Sequence, residues 1–227
     1  DVNFIKKING VKDVTYYTLG NAEVVFDKET RYKIVGGIPA EGWDLYIESG
    51  AFKIGDGKIL ENGDRGELML GSNYKHNNVF SEPVNVGNKI IINGKEFKVK
   101  AIMAPIGNPS DDQNIYLGIE DFKELFPSAA DRADAIIVQI NDGEDINQVA
   151  ETTKRRLMKF REVDEKTKDF SIQTPEELLK SFGAILNIIT GFLMGVAAIS
   201  LLVGAVGITN TMYTSVLERT KEIGVMK

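Results

Sequence analysis

The 227-residue sequence contains no cysteine, only one histidine and only one tryptophan. The absence of cysteine excludes disulfides and thiolate chemistry, although it does not identify the cellular compartment. His76 lies beside two asparagines in a polar segment, where a surface or capping role is far commoner than catalysis. No GxxxxGK[ST] loop is present, so the chain has no Walker A site for ATP. We therefore predict no enzymatic activity, no catalytic residue and no cofactor.

Charge is also absent from one long segment. Between Ser181 and Leu217 there is no Asp, Glu, Lys, Arg or His, and most residues are apolar. A bilayer core is roughly 30 Å thick, and about 20 apolar helical residues cross it. A buried helix of a soluble protein seldom stays uncharged for so long, because one of its faces usually reaches water. The segment therefore predicts a membrane span that includes Phe182 to Ile208.

The residues before this span predict where its helix begins. Thr174 is suited to the N-cap and Pro175 to the first helical position, and two glutamates follow. Nothing interrupts the helical pattern before Leu217, so a helix over 175–217 would be about 65 Å long. Because this exceeds the bilayer thickness, we expect its N-terminal end to form a stalk.

Within the span, Gly191 and Gly195 are four residues apart, as are Ser200 and Gly204. Small residues at this spacing let neighbouring membrane helices approach closely. We predict that these four residues pack against other helices, although small residues are common in membrane helices in any case.

The net charge of −6 argues against nucleic acid or an anionic lipid surface as the main partner. After the span, Arg219, Lys221 and Lys227 favour a cytoplasmic tail by the positive-inside rule, although Lys180 at the other flank reduces the contrast.

Short hydrophobic runs rich in β-branched residues alternate with helical patterns in the first 174 residues, which predicts the α+β class. Asn93-Gly94 is typical of a type I′ hairpin turn. Asp111 to Asn114 offers oxygen atoms to a cation but lacks the spacing of a calcium loop, so we expect a solvated loop and no metal site. The predicted strands include Val11–Thr18, Ala22–Phe26, Tyr32–Ile38 and Phe170–Gln173, with turns between the first three.

Four segments of the sequence carry a family resemblance. The C-terminal run LLVGAVGITNTMYTSVLERTKEIGVMK resembles the second transmembrane helix and following cytoplasmic segment of MacB/FtsX-type ABC transporter permeases. Upstream, GSNYKHNNVF, VGNKIIINGKEFKVKAIM and NIYLGIEDF resemble the family's extracytoplasmic core domain in order and spacing. The resemblance covers nearly the whole chain and is strongest in the C-terminal third.

The resemblance implies a domain organisation. Residues 1–48 and 128–174 would form a porter-like α+β part, and residues 49–127 a β-rich, sabre-like insertion. Residues 175–217 would form the stalk and transmembrane helix, and residues 218–227 the start of the cytoplasmic segment that contacts the ATPase. The region 1–175 would then be extracytoplasmic, with further membrane helices expected before Asp1 and after Lys227.

The resemblance also implies a function in the cell membrane. A separate cytoplasmic ATPase would drive movement of the outer domain through the long helix, for export or extraction of a substrate that the sequence does not identify. The second permease copy would be a homodimer partner, and binding of an extracytoplasmic adaptor is left open. The ATPase-docking residues carried over from the family motif are Glu218, Arg219, Glu222, Ile223 and Gly224. The alternative hypothesis is a single-span surface receptor or adhesion protein whose outer domain binds a ligand.

Overall fold

The structure is a computed structural model that describes residues 1–225, except the side chains of residues 222–224. Met226 and Lys227 lie outside the described residues. The chain divides into two compact units, Asp1–Lys168 and Asp169–Lys227. The strands are β1 (Val11–Phe26), β2 (Glu29–Ile38), β3 (Ile54–Gly57), β4 (Glu67–Leu70), β5 (Lys89–Ile92), β6 (Lys95–Met103), β7 (Ile115–Gly118) and β8 (Ala135–Ile140). The helices are α1 (Val2–Ile5), α2 (Trp43–Glu48), α3 (Ile119–Leu125), α4 (Ile146–Phe160) and α5 (Pro175–Val225).

Six strands of the first unit close into a barrel, because each is hydrogen-bonded to two others in a ring. The order around the ring is β1, β2, β7, β4, β6, β5 and back to β1. The β2–β7 and β4–β6 pairs are parallel and the other four are antiparallel. Closure removes the free edges that an open sheet would present, so these strands gain their hydrogen bonds within the chain.

The alternation of side chains across the barrel wall separates two cores. One core contains Val24, Leu68, Ile90, Val99 and Leu117, which are completely buried. Met69 and Tyr116, each adjacent to one of these residues in its strand, belong to a second cluster with Trp43 and Tyr46 of α2. Because successive strand residues point to opposite faces, α2 covers the outer face of the barrel wall while the first core fills its interior.

Strand β1 belongs both to the barrel and to a second pair of strands. Its first half, Val11–Tyr17, pairs antiparallel with β8, and its second half, Thr18–Phe26, pairs antiparallel with β2. Helices α1 and α4 meet beside the first half, where the rings of Phe4 and Phe160 stack with their centroids 4.3 Å apart. The same 16-residue strand therefore links this smaller layer to the barrel.

The continuity of β1 corrects the expected turn between residues 18 and 22. Gly20 lies within the strand, and a Cβ at this position would lie 2.7 Å from the ring of Phe126. A glycine in a strand often marks a close approach of another group, and here the group is an aromatic ring from a distant part of the sequence. The prediction of two strands over this region was wrong because the contact that requires glycine is non-local.

Of the other predictions about the fold, some are confirmed, one is wrong and one stays a prediction. The α+β class with a long C-terminal helix is confirmed, and positive φ angles at Asn93 (47°) and Gly94 (82°) match the predicted hairpin turn. Residues 170–173 form no strand. The predicted porter-like and sabre-like boundaries stay a prediction, and β1 and β2 from residues 1–48 pair with strands from residues 49–127 in one ring.

Gly37 provides a test of the packing inside the barrel. A Cβ at Gly37 would lie 2.4 Å from Cγ of Phe122, which is completely buried. We expect Gly37→Ala to lower the free energy of unfolding by about 1–3 kcal/mol, because overpacking displaces the ring. Thermal and urea unfolding of the purified protein would measure the change.

Gly118→Ala is the matched control, since the nearest atom to a Cβ there is 3.9 Å away. We expect it to change stability by less than about 1 kcal/mol, with any loss coming from its position before α3. Equal losses for the two variants would contradict the packing explanation.

Candidate functional site

The candidate functional site is α5 together with its two ends, because the sequence placed both groups of proposed functional residues there. At its start, the backbone N–H of Glu177 donates to Oγ1 of Thr174 over 3.2 Å. In return, the backbone N–H of Thr174 donates to the Glu177 carboxylate over 3.1 Å. This reciprocal capping box satisfies two backbone donors, and Pro175 at the first position lacks one. The predicted helix start is confirmed.

Helix α5 continues without a break for 51 residues to Val225, which corresponds to about 76 Å. It is long and apolar enough to cross a membrane, and its apolar central part is not buried against the rest of the chain. A 30 Å hydrocarbon core would therefore take up less than half of its length.

Five of the seven serine and threonine hydroxyls between Ser181 and Leu217 donate to a carbonyl of the helix itself. The hydroxyls of Ser200, Thr209 and Thr211 each donate to the carbonyl four residues earlier, over 2.8–3.0 Å. Such bonds let a hydroxyl enter lipid without a partner from another helix. In the described residues, the side-chain amides of Asn187 and Asn210 have no comparable bond. A hydrogen bond from a neighbouring helix would stabilise these two amides in a membrane.

The small residues predicted to pack are exposed on α5, and the structure separates them into two places. Gly191 and Ser200 are nine residues apart, which at about 100° per residue places them about 180° apart around the helix. The pair Gly191 and Gly195 therefore faces away from the pair Ser200 and Gly204. A shallow apolar depression at the second pair is lined by Ser200, Leu201, Gly204, Ala205 and Ile208.

The predicted ATPase-docking residues follow the span on the same helix. Glu218 and Arg219 are exposed in the last turns of α5. The helix runs through the backbone of Glu222, Ile223 and Gly224, and the side chains of Glu222 and Ile223 lie outside the described part of the structure. The helix therefore carries this segment as a direct continuation of the span.

No group of three His, Cys, Asp or Glu residues in the described part of the chain is arranged to hold a metal ion. His76 is exposed at the end of a short 3₁₀ helix over Ser72–Lys75. Asp112 is directed to the backbone, since its carboxylate accepts from the N–H groups of Ile106 (2.8 Å) and Gly107 (3.1 Å). A buried carboxylate therefore holds the loop over 104–114 in place. The sequence had instead predicted a solvated loop at Asp111 to Asn114.

The similarity to known proteins identifies the family of this chain. Residues 1–156 match the sequence model described as MacB-like periplasmic core domain. The chain belongs to this family. Its fold is similar to the periplasmic region of MacB from Actinobacillus actinomycetemcomitans, with a TM-score of 0.64, 18% identity and 80% of each chain covered. It is also similar to the extracellular domain of the transporter YknZ from Gram-positive bacteria, with a TM-score of 0.59 and 15% identity over 72% of this chain and 83% of that one.

Longer relatives match α5 as well as the core domain. An uncharacterized ABC transporter permease of Methanocaldococcus jannaschii is 39% identical over 100% of this chain, which spans 55% of that protein. The macrolide export ATP-binding/permease protein MacB of Bdellovibrio bacteriovorus is 26% identical over 100% of this chain and 36% of its own length. The chain thus has the periplasmic core domain of an ABC transporter permease followed by a helix that is long and apolar enough to span a membrane, and it spans about half or less of these relatives.

Asp112 predicts a pH response of the loop over 104–114. Burial raises the pKa of its carboxyl, but hydrogen bonds from Ile106, Ser72 and Gly107 outweigh burial and hold the pKa below the usual 3.8. The stability that the carboxylate provides is then complete above pH 3.8 and is lost as the pH falls through the lower pKa of the folded state. We expect the amide NMR signals of Ile106 and Gly107 to shift together below pH 3.8.

Asp112→Asn should remove this titration and loosen the loop at neutral pH, because one amide oxygen cannot replace two carboxylate oxygens. Asp142→Asn, at an exposed aspartate, should leave both signals unchanged. A titration that persists in Asp112→Asn would contradict the assignment.

The capping box predicts local stability at the start of α5. Thr174→Ala removes the acceptor for the Glu177 amide and should destabilise the first turn by about 1 kcal/mol. Hydrogen exchange of that amide should become about five-fold faster, as measured in detergent or nanodiscs. Thr174→Ser keeps the hydroxyl and should exchange at nearly the original rate, so equal acceleration in both variants would refute a capping role.

Proposed function

We propose that this chain is part of a permease subunit that couples ATP hydrolysis by a cytoplasmic ATPase to movement of its extracytoplasmic domain. The coupling would be mechanical, so the span need not form a pore for the substrate. Export and extraction of a substrate both fit this mechanism, and no residue selects a substrate class. The proposal places the ATPase outside these 227 residues, which contain no Walker A loop.

The observation that supports this proposal is the continuity of α5. The helix begins at a capping box beside the membrane span and ends in the charged segment that contains Glu218 and Arg219. No proline follows Pro175, so no residue removes a backbone hydrogen bond from the helix interior. A hydrogen-bonded rod of about 76 Å transmits displacement with little loss, and it is long enough to project beyond a bilayer.

The orientation and the docking residues belong to the same proposal. The basic residues after the span favour a cytoplasmic tail, which places the core domain outside the membrane. The ATPase would then push on Glu218, Arg219, Glu222, Ile223 and Gly224. Among the relatives, the MacB proteins are named as ATP-binding/permease proteins, so a permease of this family can be joined to its ATPase or work with a separate one.

The two pairs of small residues support contacts with two neighbouring helices. Because Gly191 and Gly195 face away from Ser200 and Gly204, one neighbouring helix cannot contact both pairs at once. We propose that one pair packs against the second permease copy and the other against a further helix of the same subunit. An adaptor on the outer domain fits the proposal but is not required by it.

The receptor hypothesis has less support. It explains one span and an outer domain, but it gives no role to the charged segment after the span. Membership of the core-domain family and the similarity to permeases favour the coupling function.

Charge reversal in the tail tests the coupling function. We expect Glu218→Lys with Glu222→Lys to abolish recovery of the ABC ATPase when the protein is purified from membranes, because the docking charges are reversed. ATP hydrolysis by the purified complex should fall to the level of the ATPase alone. Glu41→Lys with Glu48→Lys makes the same charge change at exposed residues of the core domain and should leave both readouts unchanged.

Insertion into membranes must be equal for both double variants, which alkaline extraction would check. Absence of any ATPase in the unaltered sample would overturn the proposal and favour the receptor hypothesis.

A further inference from the structure

Most arginines of the first unit form ion pairs with carboxylates, but two do not in the part of the chain that the structure describes. Of the six arginines before residue 169, four form ion pairs with carboxylates: Arg31, Arg65, Arg132 and Arg161. Arg155 and Arg156 are adjacent on α4, and neither has an ion-pair partner among the described residues. Lys159, one turn later, is also unpaired there. The free guanidinium groups of this unit are therefore concentrated on one helix.

The packing of α4 determines where these side chains lie. Val149, Thr153 and Leu157 are buried and form the inner face of the helix. Arg155, Arg156 and Lys159 are exposed, and at about 100° per residue they span an arc of about 100° on the outer surface. Phe160 lies at the end of the helix between this arc and the inner face; 53% of its surface is exposed, and its ring stacks on Phe4. We call Arg155, Arg156, Lys159 and Phe160 the α4 cationic face.

The charge of this face is positive, whereas the net charge of the whole chain is negative. The net charge of −6 argues against an anionic surface as the main partner, but screening limits electrostatic interactions to about 8–10 Å. Helix α4 and the residue after it, 146–161, carry five basic side chains and one acidic one. Lys154 and Arg161 are paired with Glu165 and Asp1, so Arg155, Arg156 and Lys159 are the basic side chains here that form no ion pair among the described residues.

Chain connectivity limits how far this face can be from a bilayer. The residues between the end of α4 and the start of α5 number 14, which reach at most about 50 Å when fully extended. The uncharged run begins at Ser181, only six residues after Pro175. A cationic surface with an exposed aromatic ring, tethered close to a membrane, has the chemistry that binds lipid headgroups at an interface.

We propose that the α4 cationic face binds the anionic headgroups of the membrane that α5 crosses. The proposal rests on α5 spanning the membrane and is independent of ATPase coupling. Each basic residue near an anionic membrane favours the bound state about five-fold, so three together favour it on the order of 100-fold. Lipid binding at this face would hold the core domain against the membrane surface in a way that depends on lipid charge.

The absence of cysteine allows a direct test with the whole chain in nanodiscs. Thr152→Cys, on the same side of α4, would carry a bimane fluorophore, and a nitroxide on the lipid headgroup would quench it. We expect at least two-fold stronger quenching in discs that contain phosphatidylglycerol than in phosphatidylcholine alone. Raising the salt concentration from 0.05 M to 0.5 M should remove the difference.

Two neutralised variants make the test specific. Arg155→Gln, Arg156→Gln and Lys159→Gln together should reduce quenching in anionic discs to the phosphatidylcholine level. Lys53→Gln, Lys58→Gln and Lys98→Gln together remove the same charge from exposed lysines elsewhere and should leave the quenching unchanged. A second label at Glu23→Cys on the barrel should be insensitive to lipid charge.

Each other outcome contradicts the proposal. Equal quenching in the two lipids would mean that the face is solvated or contacts a protein. Equal loss in both triple variants would mean that total charge, and not this face, controls the position of the domain. A chain that does not elute with the discs would refute the membrane span and this proposal together, whereas ATPase coupling is tested separately.

Discussion

The first unit depends on the backbone hydrogen bonds of β1. One half of this strand closes the barrel against β2 and β5, and the other half pairs with β8 in the smaller layer. A strand hydrogen-bonded on both sides of Gly20 cannot bend freely there, and the ring of Phe126 occupies the space that a side chain would need. The backbone of β1 therefore connects the smaller layer to the barrel without a break.

Helix α5 meets a different constraint, because lipid offers no hydrogen bonds to an unpaired group. The capping box satisfies its first turn, and most hydroxyls of its apolar part bond to their own helix. Among the described side chains of this part, the amides of Asn187 and Asn210 and the hydroxyls of Thr190 and Ser215 have no such bond. The helix can therefore cross a membrane alone, but these amides and the two opposite pairs of small residues favour neighbours.

The charges of the first unit are largely used to hold the barrel together. The carboxylate of Asp121, which is almost completely buried, accepts hydrogen bonds from Arg65 (3.0 Å), Lys95 (3.3 Å) and the backbone of Gly66 (2.7 Å). A buried carboxylate needs such partners, since an unpaired charge in the interior is strongly destabilising. Four of the six arginines of this unit are paired with carboxylates, so the two arginines on α4 without an ion pair in the described structure differ from the others.

The features that were predictable from sequence are local ones. The uncharged run, the capping residues before Pro175 and the Asn93-Gly94 turn each depend on residues close together in the chain, and the structure contains all three. Closure of the barrel, the continuity of β1 through Gly20 and the lack of partners for Arg155 and Arg156 were not predictable. Phe126 approaches Gly20 from more than a hundred residues away, and an arginine is known to be unpaired only when every carboxylate has been placed in space. Long-range contacts of this kind leave no periodic pattern in the sequence, so they emerge only once the chain has folded.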